Sequence, residues 1–207
     1  MKKIITVVGA RPQIIKAAAF SRAVKNLGEG KLQEVLVHSG QHYDEGMSQV
    51  FFDEMGIPAP AHNLAVGSGT HAVQTARIME GLERVFLEEK PHAVLVYGDT
   101  NTTLAAALVA SKMFIPVVHV EAGLRSFNKR MPEEINRIAT DHVSTLLFAP
   151  TQTAIANLQR EGFSSEVSDS PTIDKPLVLR SGDVMYDNAL HFSNRPEGDA
   201  YLKGLGL

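Results

Sequence analysis

The sequence contains no cysteine and no tryptophan, and its other aromatic residues are few. Without cysteine the fold cannot rest on disulfides, and thiolate metal sites are excluded. The same absence fits a cytoplasmic protein, which is the expected location. Neither sign of charge dominates: 20 Lys and Arg stand against 23 Asp and Glu, for a net charge of -3. A nucleic-acid partner calls for a broad basic field, and the sequence has none. No apolar run approaches the ~20 residues of a membrane helix, so no membrane partner is expected. The opening MKKIITVVGARP has two lysines before an apolar run, but Gly-Ala-Arg-Pro interrupts that run at once. A secretory signal needs a longer apolar core and a small-residue cleavage site, so residues 4–8 read as a buried first strand.

What is present is 207 residues, 44% of them hydrophobic. That suffices for one large α/β domain, or for one domain and the start of another. Apolar β-branched runs at 4–8, 33–38, 92–97 (AVLVY within it), 116–120, 146–149 and 177–179 read as strands. Between them, 12–27, 43–55, 70–89, 102–113, 132–143 and 151–161 read as helices. Proline lies in the first turn of the first helix, Gly56 closes the second, Pro91 stops the third, and Thr151 is a candidate N-cap of the last. Residues 59–69 and 164–175 read as loops. Continuous apolar strands alternating with helices predict a parallel sheet covered on both faces. With right-handed crossovers this is an α/β, doubly wound, Rossmann-like domain.

In such a sheet, ligands bind beyond the carboxyl ends of the strands. The residues there are Gly9-Ala10-Arg11-Pro12 with Lys16 further on, Ser39-Gly40-Gln41-His42, Gly98-Asp99-Thr100, and Glu121-Ala122-Gly123-Leu124-Arg125. Arg11 and Lys16 near a helix start form an anion site by charge and dipole, or are simply solvated cations. They belong to neither a G-x-G-x-x-G motif nor a P-loop. Asp99 suits an N-cap or an Asx turn as well as a catalytic role. Glu121 directly follows VVHV, where solvation is poor, and a carboxylate so placed is usually paired or functional. Glu133 and Glu134 open a helix and suit its dipole, and Glu133 is spaced to pair with Arg137 four residues on. His38 and His42 lack a third ligand and the H-E-x-x-H pattern, so no metal is expected.

Together these segments resemble the non-hydrolysing UDP-N-acetylglucosamine 2-epimerase family. The matching pieces are GARPQIIK (9–16), SGQH (39–42), YGDTNTTLA (97–105), HVEAGLRS (119–126), MPEEINR (131–137) and GDVMYD (182–187). The resemblance implies the first domain of a two-domain enzyme of the glycosyltransferase-B type. Residues 1–190 would form the amino-terminal Rossmann-like domain, and 191–207 a linker toward a second, UDP-binding domain. The chain alone would then be inactive. The short SFNKRMPEEINR stretch is closer to the branch that acts on UDP-2,3-diacetamido-2,3-dideoxyglucuronate.

The resemblance further implies epimerisation at sugar C2 by elimination and re-addition of UDP. It assigns Asp99, Glu121 and Glu133 to acid, base or charge-stabilising roles, and Arg11, Lys16 and Arg137 to positioning. Gln41 and His42 fall in a loop where bacterial members bind UDP-N-acetylglucosamine as an activator. A UDP-sugar substrate, a homodimer and no cofactor complete the expectation, since proton transfer and elimination need none. The competing readings are a hydrolysing epimerase, a glycosyltransferase of the same architecture, and a non-catalytic nucleotide-sugar-binding fragment.

Overall fold

The computed structural model describes residues 1–28, 30–41, 52–164, 166 and 169–193. Seven strands lie among them: β1 (Lys2–Val8), β2 (Leu32–His38), β3 (His62–Asn63), β4 (Ala93–Tyr97), β5 (Val117–Val120), β6 (Leu146–Ala149) and β7 (Leu177–Arg180). They form one sheet of order β3-β2-β1-β4-β5-β6-β7, with every neighbouring pair parallel. The helices are α1 (Arg11–Asn26), α2 (His71–Glu89), α3 (Asn101–Lys112), α4 (Pro132–His142), α5 (Gln152–Arg160) and α6 (Val184–Ser193). The sheet order steps outward from β1 in both directions, so the chain reverses at the β1–β4 boundary. That boundary is where a doubly wound sheet opens its ligand crevice.

The strands alternate their side chains between two cores, as the pleat requires. Ile5, Val7, Val35, Val37, Val94, Val96 and Val117 face Ile78, Leu82, Val85 and Phe86 of α2 and the alanines of α3. Val8, Leu36, Leu95, Tyr97 and Val118 face Ile14, Ala17 and Ala18 of α1. A smaller core joins Leu147 and Ala149 to Ala154 and Leu158 of α5. Strands buried on both faces carry no polar alternation, which explains the unbroken AVLVY and VVHV runs.

Helix ends follow their sequence cues. The Thr151 hydroxyl accepts from the Ala154 amide and caps α5. Lys90, just before Pro91, adopts a left-handed conformation (φ 49°) that ends α2. Two elements were not anticipated. The two-residue β3 lies within the stretch read as a loop, where Leu64 N donates to His38 O. Helix α6 follows Gly182 (φ 79°), with the Asp183 carboxylate accepting the Met185 amide at 2.8 Å. It docks on α1 through Asn188, which donates to the Ile15 carbonyl at 2.7 Å and accepts from Arg22. Most of the helix read at 43–55 lies outside the described residues, of which 52–55 are helical. Of the linker read at 191–207, residues 191–193 are instead the end of α6, and 194–207 lie outside the described residues.

One buried carboxyl beneath α1 is out of place. Burial pushes the Glu34 carboxyl up, and the hydrogen bond from the Thr6 hydroxyl only partly offsets this. Its folded value therefore lies above the unfolded value of about 4.3. The native state holds the proton to higher pH, so stability falls as pH rises through the folded value. Glu34→Gln removes that cost. The variant should melt above the parent at pH 7, with the gap closing toward pH 4. A lower melting temperature at pH 7 would mean that the Thr6 bond to an ionised carboxylate outweighs burial.

Candidate active site

Beneath the carboxyl edge of the sheet, two glutamines tie the strand ends together. Gln13, in the first turn of α1, accepts from the amides of Gly9 (2.9 Å) and Ala10 (3.1 Å). It also donates to the Tyr97 carbonyl and the Thr103 hydroxyl, both at 2.9 Å. All four of its amide valences are thus used inside the protein. Gln41, after β2, accepts from the amide and hydroxyl of Thr102, and Ser39 bonds the same hydroxyl at 2.8 Å. Gly9 lies so close to this knot that a Cβ would stand 2.2 Å from Thr102 Oγ1 and 2.3 Å from Ser39 Oγ. Buried polar groups so fully paired hold the turns after β1, β2 and β4 in one geometry.

Above this platform two carboxylates stand on neighbouring strand ends, each against a cation. Glu121, directly after β5, pairs with Lys16 of α1. Both side chains are largely buried. Glu121 has φ 72°, a left-handed conformation that costs a non-glycine residue about 1–3 kcal/mol. The amides of Glu121 and Ala122 both donate to the Phe148 carbonyl, which holds the turn there. Asp99, after β4, pairs with Arg137 of α4, and Asn136 donates to the Asp99 carbonyl at 2.9 Å. Asp99 is not the N-cap of α3: Thr100 takes that place by accepting from Thr103 N. The side chain of Asp99 is left to face the arginine.

Helix α4 corrects a second expectation. Arg137 pairs with Asp99 and, at 2.6 Å, with Glu134, rather than with Glu133. Glu134 is buried and accepts from the amides of Ser126 (3.0 Å) and Phe127 (2.9 Å). Burial works against its charge, but the two amides and Arg137 more than offset this and hold its carboxyl below the usual range. Glu133 is exposed at the start of the same helix. Arg11 is exposed in the first turn of α1. The structure therefore brings together Lys16, Glu121, Asp99 and Arg137, with Gln41 in the platform below. His42 lies outside the described residues. Among the described residues no group of three His, Asp or Glu side chains could hold a metal ion.

Three buried groups escaped the sequence reading. His119 of β5 is fully buried, with Nε2 at 2.8 Å from the Gly98 carbonyl and Nδ1 at 2.7 Å from Asp141. Asp141 also takes Arg125 at 2.7 Å, and Arg125 makes a two-pronged pair with Glu161 at 2.7 Å on each prong. Burial raises the Asp141 carboxyl, but the His119 and Arg125 bonds and charges prevail and hold it low. Burial likewise opposes the charge on Arg125, which Glu161 and Asp141 push up beyond the usual guanidinium value. A histidine inside an apolar strand was a visible cue, since a buried imidazole needs partners. Asp141 gave none, because its partners lie 16 to 22 residues away in the chain.

A Rossmann-like sheet edge with two carboxylate–cation pairs and an adjoining helix amino terminus defines an α/β domain suited to an anionic ligand and to proton transfer. Residues 25–203 match the family described as UDP-N-acetylglucosamine 2-epimerase, and the chain belongs to that family. It is 52% identical over 193 residues to the UDP-2,3-diacetamido-2,3-dideoxy-D-glucuronate 2-epimerase of Pseudomonas aeruginosa, covering 93% of this chain and 52% of that protein. It is also 52% identical over 160 residues to the UDP-N-acetylglucosamine 2-epimerase of Methanocaldococcus jannaschii, covering 77% of this chain and 43% of that one. The crystal structure of a Methanocaldococcus jannaschii UDP-GlcNAc 2-epimerase in complex with UDP-GlcNAc and UDP superimposes with a TM-score of 0.84 at 43% identity, covering 99% of this chain and 54% of that chain. The chain thus spans about half the length of the relatives it matches.

Proposed function

We propose that this chain supplies one wall of the cleft of a nucleotide-sugar 2-epimerase. The enzyme would interconvert UDP-N-acetylglucosamine and UDP-N-acetylmannosamine, or the diacetamido-glucuronate pair. The observation that carries the reading is the placing of Glu121 and Asp99 on adjacent strand ends, each beside a cation. The C2 hydrogen of such a sugar is not acidic. It becomes removable as the C1–O bond to UDP breaks and positive charge grows at C1. A carboxylate at C2 then takes the proton, the electron pair of the C2–H bond forms a C1=C2 double bond, and UDP leaves with the C1–O pair. Lys16, Arg137 and the amino terminus of α1 are suited to the leaving diphosphate. Returning a proton to the opposite face of C2 and re-adding UDP at C1 completes the inversion. Opposite faces call for acids on two sides, and Asp99 and Glu121 stand on separate strands.

The reading assigns the second wall, and most contacts to the uridine, to the half of the relatives' length that this chain does not span. Residues 1–190 act as the amino-terminal domain, with 191–207 leading out of it. Residues 1–207 alone should give no turnover, and a version extended to the relatives' full length should epimerise a UDP-sugar. Product analysis by proton NMR tests this. The expected product is the C2-inverted UDP-sugar with UDP still attached. Free sugar would indicate hydrolysis, and a glycosylated acceptor a transferase. Substrates offered in competition decide the branch, where the short segment at 126–137 favours the diacetamido-glucuronate sugar. The reading includes a homodimer, checked by light scattering.

A further inference from the structure

We propose that Asp141 is a positioning residue that sets the spacing between the turn bearing Asp99 and the turn bearing Glu121. This rests on the reading of those two carboxylates as catalytic groups. Asp141 lies in the last turn of α4, fully buried, away from the cleft. One of its oxygens takes His119 Nδ1 at 2.7 Å, and the other takes the Gly123 amide at 3.1 Å together with Arg125. His119 in turn reaches the Gly98 carbonyl at 2.8 Å. A single carboxylate therefore connects to both turns: through His119 to the peptide that leads into Asp99, and directly to the amide two residues beyond Glu121.

The chemistry of the ring makes this connection stiff. Both nitrogens of His119 face oxygens that only accept: a carbonyl on one side, and on the other a carboxylate held ionised by its cationic partners. The ring is therefore held at both nitrogens, by oxygens on opposite sides. The bond to an ionised carboxylate fixes the imidazole more firmly than a neutral one would. One residue beside the points held needs that firmness. Gly98 (φ 64°) and Gly123 (φ 78°) adopt left-handed backbone freely, but Glu121 (φ 72°), between them in the cleft, does so under strain that the flanking bonds help to hold. Without Asp141 the two turns keep their own strand contacts but lose the shared anchor. Displacing a reacting group by about 1 Å costs on the order of 10²-fold in rate.

Two measurements test the proposal separately from the assignment of function. In the 207-residue chain, proton NMR should find a low-field His119 Nδ1–H signal, hydrogen-bonded to Asp141. Asp141→Asn should remove the low-field Nδ1–H signal and shift the amides of Asp99 and Gly123. Absence of that signal in the wild-type chain overturns the clamp, even if the variant does not fold. In the extended chain, Asp141→Asn should lower kcat by about 10²-fold with KM within about threefold. Glu161→Gln removes charge from the same buried cluster without touching either turn. It should lose comparable thermal stability while keeping kcat within about threefold. If kcat falls in both variants in proportion to the loss of stability, Asp141 is only structural and the proposal fails. If the wild-type extended chain turns over no UDP-sugar, the functional reading fails, and the NMR result alone decides the clamp.

Discussion

Glu121→Gln in the extended chain should lower turnover by about 10³-fold or more, with the melting temperature close to that of the parent. The amide keeps the shape of the carboxylate, and its oxygen can still accept from Lys16, so the turn after β5 should persist. What is lost is the capacity to take up a proton, and a positioned base contributes roughly 10²–10⁴-fold. The left-handed backbone at Glu121 is expensive to hold and serves no core packing, as strain at functional sites commonly does. Turnover by the variant within about threefold of the parent would remove Glu121 from the mechanism. A large fall in melting temperature would show that its pairing with Lys16 is structural.

Gly123→Ala should be among the most destabilising single substitutions in the domain. An added Cβ would stand 2.4 Å from the Ala154 carbonyl oxygen and 2.9 Å from Leu158 Cγ. The first of these is helix backbone, which cannot step aside as a flexible side chain could. The left-handed φ of 78° adds about 1–2 kcal/mol for an L-residue, and overpacking typically adds about 1–3 kcal/mol. A total near 2–5 kcal/mol corresponds to a fall of roughly 5–15 °C in melting temperature for a domain of this size. Gly56→Ala is a useful comparison, since its added Cβ would meet nothing within 4 Å although φ is 65°. That variant should lose only the conformational part. Equal losses for the two would mean that α5 yields, and that the close approach to Ala154 is not what selects glycine.

The strands were legible because burial on both faces leaves unbroken apolar runs, which neither loops nor amphipathic helices imitate. β6 was read to the residue, and Thr151 was recognised as a cap because its chemistry is local. β3 and α6 were missed for a shared reason. Two residues carry no periodicity, and α6 attaches to α1 through Asn188 and Arg22 rather than through a broad apolar face. The candidate site was half legible. Position after a strand pointed to Lys16, Asp99 and Glu121, and the family resemblance pointed to Arg137. Spacing along α4 suggested the wrong partner for that arginine. Glu133 and Glu134 are equally spaced to suit the helix dipole, and only the loop at 126–127 draws Glu134 inward. The His119–Asp141–Arg125 cluster joins residues from three segments, so the local pattern marked His119 as needing partners but could not say which.

In the proposed reaction, a carboxylate of this domain takes the C2 proton of a UDP-sugar and a second acid returns one to the opposite face. The most direct test is proton NMR of the extended chain acting on UDP-N-acetylglucosamine and on the diacetamido-glucuronate substrate in D₂O. The parent should place deuterium at C2 of the epimerised sugar, and Glu121→Gln should place none. Epimerisation that retains hydrogen at C2 would contradict this reaction, because in it the proton returned to the opposite face comes from a second acid and not from the one that took the original hydrogen.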